Sequence, residues 1–197
     1  MGNWLPALDG FVDELQRGAK VADFGCGHGW STVSMAKAFP NSQFIGYDFH
    51  PSSIEHAQAH TRERGVTANT RFEFATAKGF PETDFDLVAF SDCLHDMGHL
   101  VGAAAQVCQS LKPDGSLMIV EPMAGDRLAD NLNPVGRTYY AGSTRVFIAT
   151  SLLQNVGAAR ASRRGAPSLG HHRWRVLQCQ TRRGDALQHD PRSPTLS

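Results

Sequence analysis

The sequence of 197 residues predicts an α/β fold in which helices cover both faces of a doubly wound, mostly parallel sheet. Short apolar runs alternate with helical segments up to about residue 120, and this alternation is typical of βαβ units. Gly25, Gly27 and Gly29 form a turn between the first apolar run and the helix that follows it. The length suits one domain with its own core.

The order of the elements can be predicted along the chain. The helical spacing of the apolar residues in Trp4–Leu15 predicts a first helix that ends at Arg17. Pro40 ends the helix after the glycine turn, and Pro51 starts the next helix, which Gly65 closes. The predicted strands are 21–23, 43–47, 71–74 and 85–90, and a fifth strand follows the turn at 113–115. The predicted helices after the glycine turn are 31–38, 51–64 and about 98–111.

The composition is that of an ordinary globular protein. The net charge is zero, apolar residues make up 41% of the chain and charged residues 19%. No apolar run has membrane-spanning length, and no signal segment is expected at the start. The four cysteines form no C-x-x-C pair, which predicts reduced thiols and a cytoplasmic location.

The glycine turn reads D-x-G-x-G-x-G from Asp23 to Gly29, which differs from the dinucleotide pattern G-x-G-x-x-G. That pattern would place its third glycine at position 30, where this chain has Trp30. A carboxylate beside the turn suits a ligand with an ammonium group better than one with bare phosphates. Asp48, which lies 23 residues after Gly25, stands where a second strand would offer an acceptor to ribose hydroxyls. S-adenosylmethionine combines an amino acid and a ribose without a phosphate.

From Gly18 to Glu121 the sequence resembles the class I S-adenosylmethionine-dependent methyltransferases, which have a Rossmann-like fold. The resemblance rests on the glycine turn, on Asp48 and on two later segments. Residues 85–97 (F-D-L-V-A-F-S-D-C-L-H-D-M) resemble the family's fourth strand and the loop after it. Residues 111–122 (L-K-P-D-G-S-L-M-I-V-E-P) are similar to its L-K-P-G-G turn and fifth strand. The chain is also similar to small-molecule methyltransferases of the actinobacterial type, which usually carry an N-terminal winged-helix region.

The end of the chain departs from the family's pattern. The resemblance implies a further helix and an antiparallel strand pair after Glu121, and residues 131–140 predict a helix with aromatic anchors over the pocket. Beyond residue 159 only 173–180 alternates, so we expect the antiparallel strands to be incomplete. We therefore predict a cofactor-binding domain over 1–150 and an atypical tail over 151–197.

The predicted tail contains eight Arg and no Lys. Its composition has no period and could not bury enough apolar surface to order itself. Abundant Arg without Lys is what a GC-rich gene yields when it is translated out of frame. We hypothesise a frameshifted or truncated end rather than a nucleic-acid-binding arm, and translating the encoding DNA in its other two frames tests this. If neither frame yields a helix and two apolar strands, the hypothesis is wrong.

The resemblance implies roles for residues at the carboxyl ends of the strands. Asp23 would accept a hydrogen bond from the cofactor's ammonium group and Asp48 from its ribose hydroxyls, although either could instead cap a helix. Thr76 stands where the family often has an acid for the adenine amino group, and Asp92 lies near the methionine portion or caps a helix. Cys26 could be a small filler. The expected cofactor contacts are Asp23, Gly25, Cys26, Gly27, Asp48, Phe49, Thr76, Ala77 and Asp92.

His95 is the candidate catalytic residue. The pair His95-Asp96 is similar to a pair in plant-type small-molecule O-methyltransferases, in which the His removes the acceptor's hydroxyl proton. An imidazole that titrates near neutrality suits this task. The alternative is that His95 bonds the loop backbone at the pocket rim. The pairs His56/His60 and His95/His99 have the spacing of metal ligands on a helix, yet no third ligand accompanies them and we expect no metal.

The sequence thus predicts an enzyme that transfers a methyl group from S-adenosylmethionine to a small molecule, at an oxygen. The alternative is a non-catalytic remnant that binds or senses the cofactor, because nothing before Trp4 would cover a substrate and the completing strands are missing. A nucleic-acid acceptor is less favoured, since the loop after the fourth strand reads S-D-C-L-H-D and not N-P-P-Y. We expect no membrane partner.

Overall fold

The structure, a computed structural model, contains a six-stranded sheet with helices against both faces. It describes residues 5, 10–75, 79, 82–93, 106–120, 129, 132–142 and 175–178. The strands are β1 (Lys20–Phe24), β2 (Gln43–Asp48), β3 (Thr70–Phe74), β4 (Phe85–Ser91), β5 (Leu111–Val120) and β6 (Arg175–Gln178). The helices are α1 (Phe11–Arg17), α2 (Trp30–Ala38), α3 (Pro51–Arg64), α4 (the described helical residues 106–110) and α5 (Pro134–Gly142).

The strands lie in the order β3-β2-β1-β4-β5-β6. Strands β1 to β5 are parallel, and β6 pairs antiparallel with β5. The chain winds from β1 outward in both directions, so the strand order reverses between β1 and β4. Open sheets of this kind bind ligands at the carboxyl ends of their strands beside such a switch point. The predicted Rossmann-like, mostly parallel sheet is confirmed.

The core has two parts, one on each face of the sheet. Val21 joins the part that α1, α2 and α3 cover, whereas Ala22 and Phe24 join the part that α4 covers through Val107. Because successive strand residues point to opposite faces and both faces are buried, the central strands read as continuous apolar runs. The buried apolar runs thus mark the extent of the strands, and the ligand-binding edge lies at their carboxyl ends.

Among the described elements, α1 and β5 differ from their predicted starts by more than one residue. Helix α1 ends at Arg17 as predicted but begins only at Phe11, after Gly10, whose φ is 71°. Strand β5 begins at Leu111, before the predicted turn at 113–115. The pairing with β4 jumps from Phe85–Leu111 to Leu87–Ser116, so the turn residues bulge out of the ladder instead of preceding it.

The predicted helix over 131–140 is present as α5, which starts at Pro134. The backbone N–H of Gly136 donates to Asn133 Oδ1 at 2.8 Å, which is a side-chain cap of the first turn. Strand β6 lies inside the alternating run 173–180 that the sequence singles out. The rest of the Arg-rich tail lies outside the described residues, and its proposed origin stays a prediction.

The cysteines differ from expectation. Cys26 and Cys93 are not disulfide-bonded, whereas Cys108 is, so the prediction of four reduced thiols is wrong for Cys108. In the described part of the chain, no helix is both long and apolar enough to cross a membrane.

Candidate functional site

The candidate site is built on the glycine loop, residues 25–29, between β1 and α2. Gly25, Gly27 and Gly29 have φ angles of 66°, 52° and 75°. These values lie in the left-handed region, which residues with a Cβ adopt only at a cost. The loop turns the chain sharply at the carboxyl end of β1 and brings its backbone beside the end of β2. The three glycines of the motif are thus required by the backbone conformation.

Four of the loop's amide groups, those of Gly25, Cys26, Gly27 and Gly29, are already bonded within the protein. The N–H groups of Gly25 and Cys26 donate to the carbonyl oxygen of Tyr47 at 2.8 and 3.1 Å. The Gly29 N–H donates to Cys26 O at 2.9 Å, and the Gly27 N–H donates to Asp48 Oδ2 at 2.9 Å. A phosphate-binding loop instead presents its amides to the anion. The hydrogen bonding therefore disfavours a pyrophosphate on this turn.

Asp23, at the carboxyl end of β1, is the most unusual group of the site. Its side chain is fully buried, and Oδ2 accepts hydrogen bonds from Ser31 Oγ at 2.6 Å and Thr32 Oγ1 at 2.7 Å. Oδ1 has no hydrogen-bond partner within the described residues. Burial raises the pKa of the carboxyl, the two hydroxyls oppose that rise, and the charge of Asp48 adds to it. The arrangement leaves one buried acceptor oxygen for a cationic or hydrogen-bonding group.

The alternative of a helix cap does not describe Asp23. The N-cap position of α2 is Gly29, which makes no side-chain cap hydrogen bond. Asp23 instead receives hydroxyls from the first turn of α2. Ser31 and Thr32 were not singled out in the sequence, although a pair of hydroxyl residues after a glycine turn could have indicated partners for a buried acid.

Asp48, the last residue of β2, connects that strand to the glycine loop. Its side chain is buried, and while Oδ2 accepts from Gly27 N, Oδ1 accepts from His50 N at 2.8 Å. His50 Nδ1 also lies 3.3 Å from Oδ1. His50, not Asp48, is the N-cap residue of α3. An ionised carboxylate has about four acceptor positions, so acceptor capacity remains beyond these contacts.

Two cysteines pack against the loop. The Cys93 Sγ donates to Phe24 O at 3.0 Å, and a Cβ on Gly25 would lie only 2.5 Å from Cys93 Cβ. Cys26 is buried, and this burial strongly raises the pKa of its thiol, with the charges of Asp23 and Asp48 adding to the rise. A thiol so hard to ionise is no nucleophile, which agrees with the filler interpretation of Cys26. Cys93 was missed in the sequence because its contact with Gly25 depends on the parallel pairing of β1 with β4.

Gly27 differs from its neighbours because a Cβ there would meet no atom within 4 Å among the described residues. No described residue therefore fills the space beside the backbone at this point of the carboxyl edge of the sheet. Phe49 stands at the same edge, 40% exposed, with its ring 3.8 Å from the ring of His50. These features leave room for a ligand beside Asp48.

The structure brings five of the predicted residues together at one edge: Asp23, Gly25, Cys26, Gly27 and Asp48. Asp92, at the end of β4, is exposed, adopts a φ of 56° and donates its N–H to Val120 O at 2.7 Å. Thr76, Ala77 and His95 lie outside the described residues. Within the described ranges, no three His, Cys, Asp or Glu side chains are grouped to hold a metal ion.

Two cavities of the described structure lie away from this edge. One of about 190 Å³ lies between α3 and β3, beside Gln58 and Thr70. Another, of about 420 Å³, lies beside Lys37, Gln43 and Arg64, at the opposite ends of the strands. The two acids and the open backbone of the glycine loop, rather than a cavity volume, indicate the site.

Comparison with known proteins gives a consistent result. The family described as "Methyltransferase domain" matches residues 15–157, which is more than half of the chain. Aklanonic acid methyltransferase DauC from Streptomyces sp. (strain C5) is 30% identical over 114 residues, covering 57% of this chain and 52% of that protein. Ribosomal RNA large subunit methyltransferase G from Alcanivorax borkumensis is 29% identical over 119 residues, covering 57% of this chain and 30% of that protein.

Solved structures share the fold. An S-adenosylmethionine-dependent methyltransferase from Thiobacillus denitrificans, in complex with S-adenosyl-L-homocysteine, is 26% identical with a TM-score of 0.52. The match covers 62% of this chain and 49% of that one. The chain spans about half or less of the length of the curated relatives that it matches.

Proposed function

Because this chain belongs to the class I S-adenosylmethionine-dependent methyltransferases, we propose that it transfers the cofactor's methyl group to an oxygen of a small-molecule acceptor. The observation that carries the cofactor site is the pair of buried acids, Asp23 and Asp48, on either side of the glycine loop. Asp23 Oδ1 is a buried acceptor without a partner in the described structure, as expected for a group that awaits a donor.

Asp23 accepts from the cofactor's ammonium group, directly or through water. The hydroxyls of Ser31 and Thr32 hold Oδ2 in place, so Oδ1 is presented without rotation of the side chain. A charged donor also stabilises the ionised carboxylate against the burial that raises its pKa. The ammonium thus stabilises a carboxylate whose ionised form is disfavoured by burial.

Asp48 accepts from the ribose hydroxyls while it keeps its own hydrogen bond to Gly27 N. That bond couples the position of the ribose acceptor to the conformation of the glycine loop. Phe49 lies against the ribose or adenine, and Thr76 and Ala77 read the adenine edge through the hydroxyl and the backbone. Gly25, Cys26 and Gly27 contact the amino-acid end, and Asp92 lies near the methionine portion.

The chemistry needs little covalent help from the protein. When bound, S-adenosylmethionine supplies a methyl group on a sulfonium, which becomes a neutral thioether as the carbon–oxygen bond forms. His95 takes the proton that the acceptor's hydroxyl loses, a contribution that is typically about 10²–10⁴-fold in rate. The remaining residues hold the reactants in line, where effective molarities can reach ~10⁵–10⁸ M.

The acceptor class is inferred from the loop after β4 and from a relative. The loop begins Ser91-Asp92-Cys93 and continues to the His95-Asp96 pair, without the N-P-P-Y pattern of many nucleic-acid methyltransferases. The similarity to an aklanonic acid methyltransferase supports a small molecule. The similarity to a ribosomal RNA methyltransferase makes RNA the competing acceptor, and the test must include it.

The function can be tested with cofactor that carries a tritiated methyl group. Purified chain is incubated with a metabolite extract and, separately, with ribosomal RNA, and the label is followed into each fraction. We expect label in small molecules, in a bond that behaves as an ether or ester. Label in RNA alone would overturn the proposed acceptor, and cofactor binding without transfer to either would identify a non-catalytic remnant.

The role of His95 has its own test. His95→Ala should lower turnover by about 10²-fold or more, with cofactor affinity unchanged, because the general base is lost. His99→Ala, four residues along the chain, serves as the matched control and should leave turnover unaffected. Unchanged turnover in His95→Ala would show that this residue does not take the proton.

A further inference from the structure

One face of α3 carries three residues spaced four apart: His56, His60 and Arg64, called here the α3 stripe. Residues at this spacing lie above one another on a helix surface. The stripe faces the two loop-side residues that flank Gly29, namely His28 and Trp30.

Trp30 and His28 contact different residues of the α3 stripe. The ring centroids of Trp30 and His60 are 3.9 Å apart, with the planes at 54°. The Arg64 guanidinium lies 5.8 Å from the centroid of the Trp30 ring, within reach of a cation–π contact. Within the glycine loop, the His28 ring contacts α3, with its centroid 4.8 Å from that of His56. The two residues that flank Gly29 therefore both rest on α3.

His60 takes part as a flat ring and not through hydrogen bonds. It is buried, and neither of its ring nitrogens has a hydrogen-bond partner within the described structure. Trp30, by contrast, keeps 61% of its surface exposed. The indole thus covers the His60 ring from the solvent side, and the contact depends on ring shape.

The loop conformation is coupled to this contact through Gly29. A Cβ on Gly29 would lie 2.5 Å from the Phe72 ring and 3.0 Å from Ala57 Cβ of α3. Gly29 is therefore pressed against α3 and β3 while its two neighbours are held by the stripe. The same loop receives the Asp48 carboxylate at Gly27.

We propose that the α3 stripe positions the glycine loop for the cofactor, with Trp30 and His60 as positioning residues that do not touch the cofactor. This inference rests on the proposed function, because it assigns the residues that set cofactor affinity at that same site. Holding the loop in its left-handed conformation before binding removes part of the ordering cost of binding. The stripe therefore contributes to affinity without contributing a contact.

The test measures binding of S-adenosylhomocysteine by calorimetry and the free energy of unfolding by urea for the same variants. Trp30→Ala and His60→Ala should weaken binding by roughly three- to tenfold, the value of an aromatic contact. Trp30→Phe and His60→Phe keep a ring and should bind within about twofold of the wild type. Arg64→Ala should weaken binding less than Trp30→Ala, and Arg62→Ala, on the same turn of α3 but outside the stripe, should not weaken it.

The outcomes separate this inference from the function on which it rests. Wild-type affinity in Trp30→Ala and His60→Ala, with or without a change in unfolding free energy, overturns the positioning role and leaves the proposed function standing. Failure of the wild type to bind S-adenosylhomocysteine overturns both. Should His60→Ala fail to fold, the exposed Trp30 still provides the test, because its removal leaves no buried cavity.

Discussion

Asp23 combines two properties that oppose each other. Its carboxylate is buried at the end of β1, which disfavours the ionised form, and two hydroxyls offset only part of that cost. Yet an ionised carboxylate is the form that binds an ammonium group most strongly. A residue that lowers the stability of the empty protein and is kept in the interior is best explained by its ligand.

Replacing Asp23 with Asn separates these two properties. Asp23→Asn keeps the size and can still bond Ser31 and Thr32, so we expect the free energy of unfolding at pH 7 to rise by about 1 kcal/mol. The affinity for S-adenosylhomocysteine should fall by roughly ten- to a hundredfold, because a charge-assisted hydrogen bond is lost. Calorimetry and urea unfolding measure the two effects, with Asp13→Asn on the exposed side of α1 as the control. Unchanged affinity would contradict the assigned role of Asp23.

Without ligand, replacing Asp48 with Asn is expected to lower the free energy of unfolding, whereas Asp23→Asn raises it. Both of its oxygens accept backbone N–H groups, from Gly27 and from His50. In Asp48→Asn one of those donors would face an NH₂ group, so the free energy of unfolding should fall by about 1–3 kcal/mol. Urea unfolding beside Asp23→Asn checks this. A stabilised Asp48→Asn protein would show that the two hydrogen bonds do not hold the loop.

Single residues differ in how well the sequence predicted them. Asp23 and Asp48 could be found because acids at fixed distances from a glycine turn have a chemical meaning. Ser31 and Thr32 carried only the weak signal of two hydroxyl residues after a glycine turn, and Cys93 carried none, since their roles depend on how α2 and β4 are placed against β1. A contact between side chains of two different elements produces no periodic pattern in the sequence, so the pattern does not predict it.

At the scale of elements, the glycine loop and its two helices form one packed unit. Gly29 is pressed against α3 and β3, whereas a Cβ on Gly27 would meet no atom of the described structure within 4 Å, although both have positive φ. The same substitution at the two positions should therefore have different consequences. Comparing the two alanine variants therefore distinguishes an effect on packing, at Gly29, from an effect on ligand contact, at Gly27.

Gly29→Ala should lower the free energy of unfolding by well over 1 kcal/mol, because left-handed strain adds to a clash with the Phe72 ring. Gly27→Ala carries only the strain, about 1 kcal/mol, and should remain folded. Its methyl group would stand at the open edge and weaken S-adenosylhomocysteine binding. Urea unfolding and calorimetry on both variants test this, and Gly27→Ala binding with wild-type affinity would place the ligand elsewhere.

The bounds of elements were predicted well where burial produces a regular pattern of apolar residues in the sequence. The parallel strands and α3 lie where apolar runs, Pro51 and Gly65 place them. The polar connections at the amino end of the sheet were not predicted. Buried Asn69 donates from Nδ2 to the carbonyl oxygens of Ala36 and Ser42 at 3.0 and 3.1 Å. No sequence pattern indicates that Asn69 becomes buried by bonding both the end of α2 and the turn that follows this helix.

Over the whole molecule, carboxyls with opposite pKa shifts shape the pH dependence of stability. Burial raises the pKa of Asp23 and of Glu14, and nearby Asp86 adds to the rise at Glu14. At Glu82 burial also opposes ionisation, but hydrogen bonds from Arg71 and Lys20 outweigh it and lower the pKa. A raised carboxyl pKa gives stability that is present at low pH and lost as the pH rises. A lowered pKa gives stability that is lost as the pH falls.

Asp23→Asn should therefore gain stability over the wild type with increasing pH. The difference in unfolding free energy should be small below the usual Asp pKa of 3.8, grow as the pH rises through the folded pKa and then level off. Glu82→Gln should show the reverse, with a loss at neutral pH that vanishes in acid. Urea unfolding at constant ionic strength across this range measures both, and a pH-independent difference for Asp23→Asn would mean that its folded pKa is not raised.

The measurement that tests the central claim most directly is a crystal structure of the chain with S-adenosylhomocysteine. We predict the amino-acid end of the ligand at the glycine loop, with its ammonium group bonded to Asp23 Oδ1 or to a water on that atom. The ribose hydroxyls should lie within hydrogen-bond distance of Asp48. A ligand bound away from the glycine loop, or with both carboxylates turned from it, would contradict the claim.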